Sequence, residues 1–328
     1  MPTRRRAFLV ILLLALLGLA SLALALAAGS LPVSAADIGR ALLGETQGVA
    51  AEVVRELRLP RALVAFACGG LLALAGALMQ VLLRNPLADP YVLGISGGAS
   101  VGALGAMLIG LPALLVHGGA FAGALAATLL VFGLARGDGS WTQTRLLLTG
   151  VIVAAGCGAA VALILSIAPE NKLRGMLFWL MGDLSHAASP WPALSMLLLG
   201  LLAALPFSRD LNLLARGDVT ARALGVPVAR LRGGVYVLAA LATAAAVTTT
   251  GAVGFVGLIV PHLVRLAIGN DQRVLLPAAA LAGGALLTVA DTLARTIVAP
   301  QQLPVGVLTA LIGVPVFLYL LTRSPRTA

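Results

Sequence analysis

Residues 62–83 read ALVAFACGGLLALAGALMQVLL, an unbroken apolar run that lies between Arg61 and Arg84. About 20 apolar residues in a helix are enough to cross the hydrocarbon core of a bilayer. The rest of the chain has the same character, since 60% of its 328 residues are hydrophobic, 10% are charged and the mean hydropathy is +1.05. This composition excludes a soluble globular protein. Aromatic residues make up only 4%, which favours packed helices over a lipid-facing β-barrel with aromatic girdles.

Further apolar runs lie on both sides of this one, and they predict an all-α, polytopic membrane protein with about ten transmembrane helices. The first run follows three arginines, a pattern that signal peptides and twin-arginine export signals share. Its length of about 20 residues exceeds the core of a signal peptide, so we interpret it as an uncleaved helix. The predicted spans are 8–28, 62–83, 92–111, 113–134, 145–167, 191–207, 234–250, 252–268, 274–298 and 305–322.

The basic residues fall in the loops between these runs. With the N-terminus in the cytoplasm, 15 of the 22 lysines and arginines lie inside and 7 lie outside. This bias follows the positive-inside rule and predicts that both termini are cytoplasmic. In a soluble protein a net charge of +10 would suggest nucleic acid as a partner. Here it indicates contact with membrane lipid headgroups, and we expect no nucleic-acid binding.

The spans leave one transmembrane domain, 1–328, with two longer polar segments. Segment 29–60 is expected outside as an external loop, with a short amphipathic pattern at 37–43. Segment 208–233 is expected inside and is interpreted as two short helices around Gly225 and Pro227. Only these two segments are large enough to present docking surfaces.

Small residues recur along single helix faces. One row consists of Gly94, Gly98 and Gly102, continued by Ala106 and Gly110, and the preceding span has a similar row. Such rows let helix backbones approach closely in lipid. The four-span stretch after Pro60 and the one after Gly233 have comparable spacing, which predicts an internal repeat.

The sequence contains no catalytic constellation, and we expect no enzyme activity, no cofactor and no metal site. Its three histidines and two cysteines do not have metal-ligand spacing. The only lysine, Lys172, does not lie in a phosphate-binding loop, so any ATP hydrolysis must occur on another polypeptide. Mid-membrane acids are scarce, which argues against a stand-alone secondary transporter or channel. That class remains the alternative.

Seven motifs together resemble one family, the permeases of ABC importers for ferric siderophores, haem and cobalamin (the FecCD/BtuC type). The resemblance extends essentially from end to end of the chain. The motifs are RLPR (58–61), LAGALMQ (74–80), NPLADP (85–90), LGISGGA (93–99), GAVGFVGLIVPH (251–262), ADTLAR (290–295) and LPVGV (303–307).

The resemblance implies a ten-helix, BtuC-like subunit of the bacterial inner membrane that imports a metal chelate. It implies a second permease copy, most simply in a homodimer, two cytoplasmic ATPase subunits, and a periplasmic or lipid-tethered substrate-binding protein. In this family outward-facing arginines meet glutamates of the binding protein, and the matching positions are Arg58, Arg61 and Arg295. Anchoring to lipid headgroups is the alternative role for these side chains.

The resemblance also implies two sets of cytoplasmic residues. The gate positions lie after the second span and before the fifth: Asn85, Leu87, Thr142, Gln143 and Thr144. The positions that contact the ATPase are Arg216, Gly217, Asp218, Thr220, Ala221, Arg222, Leu224 and Gly225. Arg216 and Asp218 stand where the family pattern often has leucine and glutamate, so we expect these contacts to differ in detail.

Overall fold

The computed structural model of the protein describes residues 4–29, 31–45, 48–135, 143–185 and 189–323, which are helical apart from connecting turns. A π-helical stretch, Val53–Arg58, leads into the fourth helix, and 3-10 turns occupy Pro90–Leu93 and Leu205–Phe207. The α-helices are α1 (Arg4–Ala27), α2 (Ala35–Leu43), α3 (Val49–Glu52), α4 (Leu59–Leu82), α5 (Ile95–Leu108), α6 (Ala113–Ala135), α7 (Gln143–Ile167), α8 (Glu170–Leu180), α9 (Trp191–Ala204), α10 (Ser208–Leu214), α11 (Asp218–Ala223), α12 (Val228–Thr250), α13 (Val256–Ile268), α14 (Gln272–Ala294) and α15 (Val305–Arg323).

Each predicted span coincides with an apolar helix, which confirms the all-α, polytopic membrane class. Seven helical stretches of the described chain are long and apolar enough to cross a membrane, and α5, α13 and α15 are shorter apolar helices. Some boundaries differ from the prediction. Helix α4 begins at Leu59 rather than at 62, because Pro60 is well tolerated in a first helical turn, where no backbone donor is needed.

Helix α4 lies at the centre of the bundle and packs against α1, α9, α12, α13 and α14. Almost all of its side chains are buried. A Cβ on Gly69 would lie 2.2 Å from the carbonyl oxygen of Gly283 in α14, and one on Gly76 would lie 1.8 Å from that of Gly257 in α13. Helices in lipid gain stability from such close backbone contact. Glycine is therefore required at both positions of α4.

The predicted row on α5 makes the same kind of contact with α6. A Cβ on Gly98 would lie 2.3 Å from the Gly123 carbonyl oxygen, and one on Gly102 would lie 2.0 Å from that of Gly119. The row ends before Gly110, which follows α5 and has a left-handed φ of 78°. Gly110 therefore ends the helix rather than continuing its packing face.

We call the end of the bundle at which α1 begins the proximal end and the opposite end the distal end. Arg6 of α1 bonds to Ala267 at the end of α13, and Arg58, just before α4, bonds to Leu26 at the end of α1. Helix α4 therefore begins at the distal end and α13 ends at the proximal end. Because α12 begins beside Arg84, which follows α4, α12 runs in the direction opposite to α4.

The helix lengths repeat with this change of direction. Helices α4 to α7 have 24, 14, 23 and 25 residues, and α12 to α15 have 23, 13, 23 and 19. The order long, short, long, long occurs twice, as the spacing of the spans predicted. Inverted repeats of this kind are common in membrane transporters.

The two polar segments fold differently from their predicted outlines. Segment 29–60 contains the expected amphipathic helix, α2, whose first turn is capped by the Ser34 hydroxyl. In segment 208–233 the two short helices are α10 and α11, which flank Gly217 and not Gly225. The segment ends at Pro227, because α12 extends to Val228 and its Arg232 is paired with Asp218.

Helix α8 was not predicted, since its 11 residues are too polar for a span. It packs against α5. The ammonium group of Lys172 donates a hydrogen bond of 2.9 Å to the carbonyl oxygen of Leu108, in the last turn of α5. The final carbonyls of a helix lack intrahelical donors, so this lysine caps α5.

Candidate functional site

The distal end of the bundle carries three arginines around one buried aspartate. Arg61, in the first turn of α4, donates to both carboxylate oxygens of Asp291 in α14, with an Nε–Oδ2 distance of 2.9 Å and an Nη2–Oδ1 distance of 2.8 Å. The Nε of Arg295 lies 3.9 Å from Oδ2 of the same carboxylate. Arg58 ends the π-helical stretch just before α4. The structure therefore brings together the three arginines that the sequence singled out.

Arg58 is not the bare rim side chain that the sequence suggested. The residue is only 4% exposed. Its Nη1 donates to the carbonyl oxygens of Leu26 at 2.7 Å and Ala27 at 3.2 Å, and its Nη2 donates to that of Leu31. A cation at these last carbonyls of α1 satisfies them and interacts favourably with the helix dipole. Arg58 therefore joins α1 to α4, and its guanidinium is largely withdrawn from the surface.

Asp291 is the member of this cluster to which sequence reasoning gave no role. Its side chain is 3% exposed, and a buried carboxylate requires a paired cation. Arg61 supplies that cation and also bonds to Oε1 of Gln302 at 2.7 Å. An acid inside a predicted span, four residues before an arginine, was the available signal.

A cleft of about 310 Å³ opens beside this cluster. Its lining includes Arg58, Arg61, Arg295 and Glu56, so it contains three positive charges and one negative charge. Even with Asp291 included, arginines outnumber carboxylates. A partly enclosed basic surface of this kind attracts carboxylate groups and can pair with them bidentately.

The proximal end carries the helix pair formed by α10 and α11. Asp218, the first residue of α11, is 2.9 Å from Arg232 of α12, and both side chains are largely buried. Asn212 of α10 donates to Asp271 at 2.9 Å and accepts from the backbone N–H of Gln272 at 2.9 Å, at the start of α14. Two sets of polar contacts thus fix the helix pair to different transmembrane helices.

The predicted ATPase-contact residues divide by exposure. Arg216, Thr220, Arg222, Leu224 and Gly225 are exposed. Ala221 is fully buried, so it cannot form a direct contact, and Asp218 is occupied by Arg232. Gly217 has a left-handed φ of 120° and sets the turn between the two helices. Val219, which the prediction did not include, is 83% exposed between Asp218 and Thr220.

The predicted gate residues are only partly described. Asn85 and Leu87 form one turn, in which Oδ1 of Asn85 accepts the backbone N–H of Leu87 at 2.9 Å. Thr142 lies outside the described residues, Gln143 begins α7, and Thr144 is exposed. The connector between α4 and α5 meets α7 further along, where a Cβ on Gly150 would lie 2.4 Å from the Val92 carbonyl oxygen.

A junction between the two repeats lies inside the bundle, and the sequence did not reveal it. The hydroxyl of Tyr91, just before α5, donates to the carbonyl oxygen of Val253 at 2.9 Å and accepts from its backbone N–H at 3.1 Å. Val253 lies in the break between α12 and α13. Non-helical backbone at membrane depth needs partners from the protein, and Tyr91 supplies both.

The fold and these sites define a class, a polytopic α-helical transport protein with an inverted repeat and a polar surface at each end. The sequence profile of the FecCD transport family matches residues 13–323. The chain therefore belongs to the FecCD transport family, and it is a membrane permease subunit of the ABC importer type.

Named relatives and a solved structure support this assignment. The hemin transport system permease protein HmuU of Yersinia pestis is 46% identical over 278 residues, which cover 82% of each chain. The cobalamin import system permease protein BtuC of Halobacterium salinarum is 43% identical over 276 residues, or 82% of this chain and 73% of that one. The Fe(3+) dicitrate transport system permease protein FecD of Escherichia coli is 41% identical over 325 residues, or 97% and 98%. A structure described as an inward-facing metal-chelate type ABC transporter has a TM-score of 0.84 at 30% identity, covering 97% of this chain and 100% of that one.

Proposed function

We propose that the chain forms the membrane pathway through which an ABC importer moves a metal chelate of the haem, cobalamin or ferric-siderophore class. The observation that carries this proposal is similarity over most of the chain to permeases named for three such chelates. Because those three cargoes differ, the proposal concerns the class and not one member. ATP hydrolysis belongs to a separate pair of cytoplasmic ATPase subunits, and alternating access of the bundle moves the cargo.

The ATPase docks on the proximal helix pair. Val219, Thr220, Arg222 and Leu224 present a mixed apolar and basic surface there, which suits a groove on a partner protein. The Asp218–Arg232 pair and the Asn212–Asp271 bonds connect this surface to α12 and α14. Closure of the ATPases can therefore be transmitted to the bundle as a rigid-body movement.

The substrate-binding protein docks at the distal end through its carboxylates. Arg61 and Arg295 border the distal cleft, and Arg58 supports them from below by joining α1 to α4. Arginines that line such a cleft can pair with partner carboxylates and set the register of docking.

The second permease copy packs against α7. Only 11% of the apolar window of this helix is buried within the single chain. Gly156 and Gly158 are exposed and have no heavy atom within 4 Å of an added Cβ. Because exposed glycines admit close helix contact in lipid, this largely unburied helix supports a homodimer with the pathway between the copies. Asn85, Leu87, Thr142, Gln143 and Thr144 then form the proximal gate of that pathway.

On this proposal the chain is a multi-pass protein of the bacterial inner membrane. The proximal end faces the cytoplasm, so both termini are cytoplasmic. The excess of basic residues on that side supports the orientation.

The decisive experiment is reconstitution of the chain in proteoliposomes with its ATPase and binding protein. Uptake of the metal chelate is expected only when ATP and both partners are present. ATP-independent accumulation by the chain alone would instead support a secondary transporter or channel, and would contradict the proposal.

Variants test the two docking surfaces separately. Val219→Asp should abolish co-purification of the ATPase, whereas Val49→Asp, at another exposed valine, should leave it unchanged.

Arg295→Gln should weaken the affinity for the substrate-binding protein by about tenfold or more, because buried charge pairs contribute much of the binding energy of such interfaces. Arg40→Gln is the control, because Arg40 is an exposed arginine of segment 29–60 that does not line the distal cleft. Unchanged affinity in Arg295→Gln would remove the docking role.

A further inference from the structure

A second polar cleft lies at the proximal end, where the first turn of α1 meets the ends of α10 and α13. Its volume is about 520 Å³, and its basic lining residues are Arg6, Arg216 and Arg265. Asn212 and Asp271 also line it. Arg216, one of the positions that the family resemblance assigns to ATPase contact, lines this cleft, whereas Val219 and Leu224 of the proposed ATPase surface do not.

Among the described residues of the lining, Asp271 is the only carboxylate, and it is already engaged by neutral donors. Oδ1 of Asp271 accepts a hydrogen bond from Nδ2 of Asn212 at 2.9 Å, and the same side chain caps the first turn of α14. Neither Arg216 nor Arg265 forms an ion pair within the described part of the chain. The cleft therefore has an excess of positive charge.

Arg265 gives the strongest indication that this cleft binds an anion. It lies in the last turn of α13, is partly buried, and has no hydrogen bond or ion pair to the residues that the structure describes. A partly buried guanidinium gains from a partner that uses its fork of donors, and phosphate has the matching geometry. Arg6 lies close by, because its Nη2 bonds to the carbonyl oxygen of Ala267 at 2.8 Å.

Apolar side chains continue from the cleft along the outer surface of the bundle. Leu266 lines the cleft itself and is 64% exposed, and Leu263 is exposed one turn earlier on α13. On α1, Phe8 and Leu9 are exposed immediately after Arg6. The surface thus changes from basic to apolar over about one helical turn, as the boundary between headgroups and acyl chains does.

We propose that this cleft binds the headgroup of an anionic phospholipid from the leaflet at the proximal end. The arginines hold the phosphate, and the acyl chains lie along Leu263, Leu266 and Phe8. Basic clefts between transmembrane helices at this side of a membrane are suited to such lipids. A bound lipid would connect α1 and α13 to α10, and so brace the helix pair proposed to receive the ATPase. The binding claim itself does not depend on the proposed transport function.

Lipid binding can be measured on the purified full-length chain in detergent, without ATPase or binding protein. Native mass spectrometry would compare dioleoylphosphatidylglycerol with dioleoylphosphatidylcholine, and inorganic phosphate would be added as a competitor. We expect phosphatidylglycerol to bind at least about fivefold more tightly than phosphatidylcholine, because this factor corresponds to the attraction between roughly one arginine and an anionic lipid. Equal affinity for the two lipids would overturn the proposal. Complete displacement by millimolar phosphate would assign the site to a soluble anion instead.

Arginine variants locate the lipid. Arg265→Gln should remove most of the preference for phosphatidylglycerol, while Arg265→Lys, which keeps the charge, should retain part of it. Arg209→Gln is the matched control, because Arg209 is an exposed arginine of α10 that does not line the cleft. If Arg265→Gln unfolds, Arg6→Gln provides the second test. An unchanged preference in a folded variant of either arginine would refute the assignment.

Discussion

The two repeats, α4 to α7 and α12 to α15, build the same arrangement with different residues. In both, the short second helix begins just after a residue in the left-handed region, which is Gly94 before α5 (φ 73°) and Phe255 before α13 (φ 69°). In both, a cation donates to a carbonyl oxygen of the last turn, Lys172 to Leu108 in α5 and Arg6 to Ala267 in α13. The architecture therefore depends on backbone geometry and capping, which several residue types can satisfy.

The difference between Gly94 and Phe255 is informative. Glycine adopts a positive φ freely, whereas phenylalanine pays about 1–2 kcal/mol for it. Phe255 is held in place by α15, where a Cβ on Gly313 would lie 2.6 Å from the Cβ of Phe255. Strained residues of this kind cluster at functional segments. The break before α13 is thus the more constrained of the two, and it is also the one that Tyr91 contacts.

The largest packing effect is expected where backbones of the two repeats touch. Gly76→Ala would place a Cβ 1.8 Å from the Gly257 carbonyl oxygen, and α4 and α13 must separate to admit it. We expect a loss of about 3 kcal/mol of stability, the upper range for overpacking, measured by thermal unfolding in detergent. Gly105→Ala, in α5, has no atom within 4 Å of the new Cβ and should not destabilise the protein. Equal stability of the two variants would contradict the close approach.

The next effect concerns the junction itself. Tyr91→Phe removes both partners of the Val253 backbone, and we expect a cost of about 2 kcal/mol, because buried polar groups are left unsatisfied. Tyr236→Phe is the matched control. Its hydroxyl donates to the carbonyl oxygen of Thr128 at 3.0 Å, inside the continuous helix α6, so about 1 kcal/mol is expected. A larger loss of stability for Tyr236→Phe than for Tyr91→Phe would contradict this prediction.

A side chain at either break should carry a similar backbone cost. Gly94→Ala is expected to destabilise by about 1–2 kcal/mol, the cost of the left-handed conformation for a residue with a Cβ. At the other break, Phe255→Ala and Phe255→Gly both lose the ring, but only the glycine variant relieves the strain. Phe255→Gly should therefore be more stable than Phe255→Ala by about 1 kcal/mol in chemical unfolding. No difference between them would show that Phe255 is unstrained.

The smallest effects concern the caps of the short helices. Lys172→Met and Arg6→Met each remove a charged donor from a last-turn carbonyl, and each should lower stability by about 0.5 kcal/mol. Arg5→Met serves as the control for loss of an exposed positive charge next to Arg6. Thermal unfolding in detergent without added anionic lipid separates this effect from lipid binding. Unequal losses of stability in the two variants would indicate that the repeats differ energetically although their geometry is alike.

Much of the fold could be predicted, because a bilayer imposes a simple rule on sequence. Runs such as 62–83 and 113–134 must be helical, as lipid offers no partner for unpaired backbone groups. The glycine row on α5 also predicted a close helix contact, although not that α6 would provide it. Segment 208–233 was less predictable, since its helices are set by tertiary contacts such as the Asp218–Arg232 pair.

The sites were harder to predict than the spans. Positive charge placed Arg61 and Arg295 at one end, but charge alone could not show that Arg58 is buried among carbonyl groups of α1. Asp291 was missed because its partner, Arg61, lies 230 positions away in the sequence. The Tyr91 junction depends on a single hydroxyl reaching a break in another repeat, which has no local sequence signal.

The enclosed Arg61–Asp291 pair also limits how relatives of this chain can diverge. Losing either partner alone leaves an uncompensated charge in a nearly dry site, at a cost of about 3–5 kcal/mol, whereas replacing both by apolar residues can be tolerated. Position 61 and position 291 are thus expected to change together during evolution. An alignment of homologues in which one varies freely while the other stays fixed would contradict that constraint.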